Sequence, residues 1–315
     1  MIIALAGGVG GARLANGLAS TLDPQQLLVA VNVGDDFEHL GLTICPDLDT
    51  VTYTLAGLND EVRGWGQRNE SWAFMEAIRA VGGADWFALG DRDLATHVFR
   101  TEQMQNGLPL SEVTFQITKN LGIAARIVPV SDDPIRSIIE TDEGNLPFQH
   151  YFVRRQCGPK FCDIRYEGAD TARLSPALEQ ALADPDLEGI VICPSNPILS
   201  IGPLLAIPAL KAALSRRRVP CVAVSPFIAG HAVKGPAAKI FKEIGMTPGA
   251  KALAHLYTDI TDAILCDADD PDSGSLVSQQ QLVIADTFMG GPVGQRQLAD
   301  IVLSRISEIG SEKYR

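Results

Sequence analysis

Ile2-Ile-Ala-Leu-Ala-Gly-Gly-Val-Gly-Gly-Ala-Arg13 is the stretch whose reading decides the fold. A short apolar run (2–6) passes straight into Gly7, Gly8, Gly10 and Gly11, and a helix-compatible segment follows at 12–20. Glycine permits a sharp turn and leaves backbone N–H groups uncovered. A helix that starts there aims further N–H groups and its positive dipole end at the same point. Such a place suits a phosphate or diphosphate. The stretch is not a Walker loop, because no Gly-Lys-Ser/Thr follows at the required spacing. It also misses the strict dinucleotide fingerprint, since Arg13 stands where the third glycine belongs. A first strand running into a glycine turn is nevertheless where open α/β sheets bind nucleotides.

The rest of the chain supports an α/β fold. Short, apolar, non-alternating runs recur at 2–6, 27–33, 125–130, 189–193, 219–224, 263–266 and 281–285, as expected of parallel strands buried on both faces. Helix-like segments lie between several of them, at 11–21, 176–183, 203–215 and 236–244, and the last three open with proline. The expectation is a Rossmann-like three-layer α/β/α fold with a mostly parallel sheet. Residues 50–121 read instead as successive helices (50–58, 70–80, 94–106, 110–121) with one short run at 86–89. This predicts a Rossmann-like domain over 1–49 and 122–315, with a helical insertion domain over 50–121 that covers the site. Between 134 and 167 the β-branched and aromatic content rises (136–141, 148–154, 161–166), which predicts antiparallel strands. The acidic segment 267–274 reads as a solvated turn.

Composition narrows the function classes. The 315 residues are 46% hydrophobic and 20% charged, which suits a well-cored globular chain. Acids outnumber bases 38 to 26, for a net charge of -12, which argues against nucleic acid as a partner. The basic run Arg216-Arg217-Arg218 follows an apolar helix-like stretch, where cations suit a helix C-terminus without any ligand. No apolar run reaches membrane-spanning length and the N-terminal run is too short for a signal peptide, so a cytoplasmic location is expected. The six cysteines are then expected as reduced thiols. Cys157 and Cys162 lack a second Cys/His pair of matching spacing, which disfavours zinc.

Polar clusters follow the strand-like runs. Asn32-Val-Gly-Asp35-Asp36 sits past the second run, where an acid often binds a ribose hydroxyl. In Pro46-Asp47-Leu-Asp49-Thr50 capping explains one acid well and two badly. Two carboxylates held close repel unless a cation lies between them, so Mg²⁺ beside a diphosphate is attractive here. Gly90-Asp91-Arg92-Asp93 with His97 offers acids that can cap a helix and an arginine that can grip a phosphate. Ser131-Asp-Asp-Pro134 is again at a strand end. Later come Pro194-Ser195-Asn196-Pro197, a rigid loop presenting a side-chain amide, and Ser225-Pro-Phe227 with Lys234-Gly-Pro236. Trp65 and Trp72 offer stacking surfaces for a flat aromatic substrate, against core packing as the plainer reading. No Ser-His-Asp arrangement can be assembled from proximity in sequence.

Taken in order, Ala-Gly-Gly-Val-Gly-Gly, Asn-Val-Gly-Asp-Asp, Pro-Asp-Leu-Asp-Thr-Val, Leu-Gly-Asp-Arg-Asp-Leu-Ala-Thr-His, Ser-Asp-Asp-Pro, Pro-Ser-Asn-Pro-Ile and Val-Ser-Pro with Lys-Gly-Pro-Ala resemble the 2-phospho-L-lactate transferase family. The resemblance spans residues 2 to about 240. It implies a transferase of coenzyme F-420 biosynthesis that is Mg²⁺-dependent. Such an enzyme moves a phospholactyl or phosphoenolpyruvyl group from a guanosine diphosphate conjugate to the ribityl hydroxyl of a deazaflavin, releasing GMP. It further implies a homodimer. The residues fit those needs: Gly7, Gly8, Gly10 and Gly11 are expected to hold the diphosphate and Asn32, Asp35, Asp36, Ser195 and Asn196 the guanosine, with Ser225 and Lys234 beside the anion. Asp49 matches the family's deazaflavin-contacting aspartate and is expected in catalysis, with Asp47, Asp91 and Arg92. The expected metal ligands are Asp49, Asp47 and Asp93. Some members carry a lysine where this chain has Ala88, which leaves Arg92 or the Trp65 loop to take its place. The main rival is a non-catalytic nucleotide-sugar-binding protein of the gluconeogenesis-factor type, which shares the glycine loop. An NAD-dependent oxidoreductase is weakened by Arg13.

Overall fold

A computed structural model describes residues 1–272 and 281–314. The first strand, β1 (Ile2–Ala6), is entirely buried and runs into α1 (Gly8–Thr21). Next come β2 (Leu27–Val31), a hairpin of β3 (Phe37–His39) and β4 (Leu42–Ile44), and α2 (Pro46–Leu55). The helices α3 (Ala73–Ala80), α4 (Asp91–Gln105) and α5 (Leu110–Asn120) follow, then β5 (Arg126–Pro129). An antiparallel sheet is formed by β6 (Arg136–Thr141), β7 (Gly144–Pro147) and β8 (Phe161–Glu167), in the order β7-β6-β8. The chain continues with α6 (Pro176–Leu182), β9 (Gly189–Ile192), α7 (Gly202–Leu205), α8 (Pro208–Ser215) and β10 (Cys221–Val224). A small hairpin, β11 (Phe227–Ile228) and β12 (His231–Ala232), precedes α9 (Ala237–Glu243) and α10 (Ala250–Leu256). The last elements are β13 (Ala263–Cys266), β14 (Gln281–Ile284) and α11 (Gly291–Lys313).

The main sheet has the order β14-β13-β10-β9-β1-β2-β5, and every pairing in it is parallel. All seven strand-like runs of the sequence therefore enter one sheet. Its central strands are buried along their whole length, which requires cover on both faces. The chain builds outward from β1 through β2 to β5, then returns to β9 on the other side of β1. The strand order thus reverses between β1 and β9, and open α/β sheets bind ligands at such a point, beyond the carboxyl ends of the strands.

Three expectations need correction. Residues 148–154 are not a strand: His150–Arg154 forms a π-helical turn after β7. Phe148 and Phe152 stack at 5.4 Å, and this i,i+4 aromatic pair is a helical signal that the β-rich composition obscured. The helix expected over 203–215 is split into α7 and α8, because Pro208 lacks the N–H that a continuous helix would require. The acidic segment is not a solvated turn throughout. Asp270 is buried and accepts the Ala250 N–H at the start of α10, while 273–274 lie outside the described residues. In addition, 86–89 forms no strand, and the β3–β4 hairpin was not anticipated.

Among the described residues no single helix is long and apolar enough to cross a membrane. Pro197–Leu205 and Pro208–Ser215 reach that apolarity together but bend by 89°, with Leu204, Ile207, Leu210 and Leu214 in the core.

Candidate functional site

A cavity of about 610 Å³ opens at the carboxyl ends of β1 and β9. Its floor includes Gly7, Gly8 and Gly10 from the opening turn and Ser195 from the loop after β9. Asp35, Asp47 and Asp49 form an acidic flank. Trp65, Trp86, Phe87, Phe148, Phe152 and Phe288 give another part of the wall an aromatic surface.

The four glycines divide into two uses. The Gly7 N–H donates to Ser195 Oγ at 3.0 Å, and the Gly8 N–H donates to Asp47 Oδ1 at 2.7 Å. Gly8 has a φ of 62°, a left-handed conformation natural to glycine. Gly10 and Gly11 instead permit close packing: an added Cβ would collide with the Pro194 carbonyl oxygen at Gly10 and with Ser195 Oγ at Gly11. Gly11 is buried and does not line the cavity. An anion does stand at the start of α1, and it is the protein's own Asp47.

Asn32 organises the acids from below. Its amide donates to Asp35 Oδ1 at 3.3 Å and to Asp47 Oδ2 at 3.0 Å, while its Oδ1 accepts the Gly34 N–H at 2.8 Å. Asn32 and Asp36 support the cavity from behind and are not part of its lining. Burial pushes Asp35 well above the usual carboxylate range, and the charges of Asp47 and Asp36 push it further. Asp36 rises to about 7, because burial outweighs a hydrogen bond from Cys45 and the charges of Arg136 and Arg100. Its Oδ1 is buried without a partner. Asp47 rises to about 6 through burial, against hydrogen bonds from Asn32, Gly8 and Ser200. The groups that meet Asp35 and Asp47 are neutral donors or other acids, and the oxygen donors of these two carboxylates suit a hard divalent cation.

Asp49 belongs to a different network. Both of its oxygens meet the Arg100 guanidinium, Oδ2 from Nη1 at 3.2 Å and Oδ1 from Nη2. Nη1 also reaches the Thr43 carbonyl and His97 Nδ1, each at 3.3 Å. His97 Nε2 lies 3.3 Å from Asp93 Oδ1, which accepts the Tyr53 hydroxyl at 2.6 Å. Burial opposes the charge on Arg100, and Asp49 more than restores it. Burial likewise opposes ionisation of Asp93, but His97, Tyr53 and Arg100 hold it below the usual range. Donor atoms of Asp49, Asp93 and His97 lie within 4.8 Å of one another, the spacing of a metal site. The Arg100 guanidinium already stands against two of the three. Arg100 was missed at the level of sequence, although it falls three residues after His97 and seven after Asp93, on the same helix face.

The structure does not bring Asp91 or Arg92 to the cavity. Asp91 accepts the Ser71 hydroxyl at 2.7 Å and the Ala73 and Phe74 N–H groups at 3.0 Å, which makes it the cap of α3. Arg92 is exposed, and Glu70 accepts the Arg92 and Asp93 N–H groups at the start of α4. In the Ser131 cluster Asp132 accepts from Ser111 and Asp133 pairs with Arg173. Asn196, Ser225 and Lys234 line the cavity. Asn196 Oδ1 is occupied by the Ile198 and Leu199 N–H groups, so only its NH₂ donors remain for a ligand. Ser225 Oγ accepts the Phe227 N–H at 3.1 Å. Lys234 reaches across to Gly64, joining its loop to the Trp65 loop. Ala88 and Trp65 both line the cavity, so the Trp65 loop occupies the region that Arg92 does not reach. Arg13, read earlier only as a missing glycine, lines the cavity too. In the Arg216–Arg218 run, Arg217 donates to the Leu214 carbonyl and pairs with Asp262, each at 2.8 Å, so its role is structural.

The family model for 2-phospho-L-lactate transferase CofD matches residues 2–290. The chain is 40% identical over 276 residues to a phosphoenolpyruvate transferase of Kitasatospora aureofaciens, covering 85% of each chain. It is 39% identical over 272 residues to a phosphoenolpyruvate transferase of Mycolicibacterium smegmatis, covering 81% of this chain and 83% of that one. Among solved structures, a UPF0052 family member from Bacillus halodurans superposes with a TM-score of 0.57 over 96% of this chain and 98% of that one. At 14% identity this likeness shows the fold alone.

Proposed function

Since the chain belongs to the 2-phospho-L-lactate transferase CofD family and is a transferase, we propose that it moves a three-carbon phospho-acid from a guanosine diphosphate conjugate to the ribityl hydroxyl of a deazaflavin. The names of the relatives favour phosphoenolpyruvate over phospholactate as that acid. One observation carries the reading: a single cavity joins the glycine turn, three buried acids and an aromatic wall. The pyrophosphate belongs beside the turn, whose Gly7 and Gly8 N–H groups already donate to Ser195 and Asp47. The aromatic wall suits a flat, polar-edged ring.

The residues also fit Mg²⁺. Asp35, Asp47 and Asp49 all face the cavity, and burial holds Asp35 and Asp47 above the usual carboxylate range. Asp35 and Asp47 would hold the ion, since both oxygens of Asp49 already meet Arg100. Asp93, also expected as a ligand, accepts the Tyr53 hydroxyl on Oδ1 and stands with Asp49 and His97. When bound, Mg²⁺ supplies positive charge that relieves the repulsion between Asp47 and the donor's phosphates.

The remaining chemistry falls to the protein. The acceptor hydroxyl oxygen forms a new bond to the donor's distal phosphorus. The bond from that phosphorus to the bridging oxygen breaks, GMP leaves with the bridging oxygen, and the hydroxyl proton is released. Such a transfer depends on positioning and charge neutralisation rather than on a covalent nucleophile. Asp49, fixed at the cavity wall by Arg100, orients the attacking hydroxyl. Gly7, Gly8 and Ser195 hold the turn open for the pyrophosphate, and Lys234 adds a positive charge at the rim.

The test is mass spectrometry of purified protein with Mg²⁺, deazaflavin and each guanosine-linked donor in turn. GMP release and a heavier deazaflavin are expected. Binding of GDP without product from any three-carbon donor would instead favour the regulatory nucleotide-sugar-binding reading.

A further inference from the structure

We propose that Arg100 is a positioning residue for this transfer: its guanidinium fixes the Asp49 carboxylate at the cavity wall and fills the space beside Asp49 and His97 that a metal ion would otherwise take. The inference rests on the transferase reading and goes beyond it.

Asp49, Tyr53, Asp93 and His97 all line the cavity, whereas Arg100 does not. It is buried behind them on α4 and meets the substrate space through Asp49 and His97. Both of its terminal nitrogens engage both carboxylate oxygens, a fork that permits a single orientation of the carboxylate plane. Its hydrogen bond to the Thr43 carbonyl anchors the fork to β4, so three segments (β4, α2 and α4) meet at this one side chain.

The same side chain sets the tautomer of His97. A guanidinium has no acceptor, so His97 Nδ1 must present its lone pair to Arg100. His97 Nε2 then lies on the far side of the ring, 3.3 Å from Asp93 Oδ1. A cation placed among Asp49, Asp93 and His97 would meet the guanidinium at close range, so this trio is a charge-paired wall rather than a metal site. The divalent ion is left to the acidic flank formed with Asp35 and Asp47.

The experiment compares Arg100→Lys and Arg100→Gln with the wild type by steady-state kinetics and by calorimetric GDP binding in Mg²⁺. Lysine keeps the charge and loses the fork, and glutamine keeps an N–H donor and loses the charge. For Arg100→Lys kcat should fall on the order of 30–100-fold, while donor KM and GDP affinity stay within about threefold. Arg100→Gln should fall further in kcat with the same binding. Arg100→Lys with wild-type kcat would overturn the inference and leave the transferase reading standing. Parallel loss of kcat and GDP affinity, or failure of both variants to fold, would assign Arg100 to the fold and overturn it too. Absence of product from the wild type would sink the transferase reading and the inference together.

Discussion

Asp47 Oδ1 accepts the Gly8 N–H at 2.7 Å, so a carboxylate carried by α2 stands at the first turn of α1, where the sequence leads one to expect a phosphate. The contact joins the two motifs of highest chemical content, which lie 39 residues apart in the chain. It also places negative charge where the donor's negative charge must come.

The first consequence concerns pH. Asp47 is raised from 3.8 to about 6 and Asp36 to about 7, both by burial. Between the ordinary and raised values the folded protein holds protons that the unfolded chain has released, so stability falls as pH rises through that window. The metal-free protein should therefore melt at a lower temperature at about pH 7.5 than at about pH 5, and Asp47→Asn should reduce the difference. Thermal melts in chelator decide this; a melting temperature that rises across the window would contradict it.

At Gly10 any side chain meets the Pro194 carbonyl oxygen, a backbone atom that cannot rotate away. Gly10→Ala should destabilise by about 1–3 kcal/mol and weaken GDP binding, because the loop after β9 must shift from the floor of the cavity. Denaturant unfolding and calorimetry measure the two effects, and unchanged GDP affinity would remove the loop from the nucleotide site.

Asp49→Ala should abolish turnover, and it should also strand Arg100 as a buried, unpaired charge. Loss of one partner of a buried ion pair costs on the order of 3–5 kcal/mol, so the variant should unfold at clearly lower denaturant while keeping its circular dichroism spectrum. Near-normal turnover would take Asp49 out of the mechanism.

Far from the cavity, Asp262 accepts from Arg217 Nη2 and the Cys221 N–H at 2.8 Å and from Lys313 Nζ at 2.6 Å. Burial opposes its charge, but these donors hold its pKa below the ordinary 3.8. The stabilisation is full above that ordinary value and disappears as pH falls through the lowered one. Asp262→Asn should cost about 2–4 kcal/mol near neutral pH, with little effect on kcat. An equal loss of stability in strong acid would refute the assignment.

Much of the fold was legible because buried parallel strands are short and apolar on both sides, a pattern independent of their partners. All seven such runs became strands of one sheet. The π-helical turn at His150–Arg154 is masked in the sequence because its aromatic and β-branched composition matches a strand, while its helical sign is only the i,i+4 spacing of Phe148 and Phe152. In the site, Asp91 resembled Asp93 in every local respect. Asp91 faces the backbone N–H groups of α3 and Asp93 faces Tyr53 and His97, a difference set by packing.

By itself the sequence determined the sheet, the glycine turn and the identity of the acids, because strand burial and glycine turns depend on residues adjacent in the chain. Only the tertiary structure decided that Arg100 holds Asp49, that Asp47 meets Gly8, and that Gly10 and Gly11 serve packing against Pro194 and Ser195. Those pairings join segments 39 to 188 residues apart, as the Asp47–Gly8 and Ser195–Gly7 contacts show, and no local pattern encodes them. The glycine packing against Pro194 and Ser195 forms because the strand order reverses between β1 and β9, which places the loops after the two strands face to face.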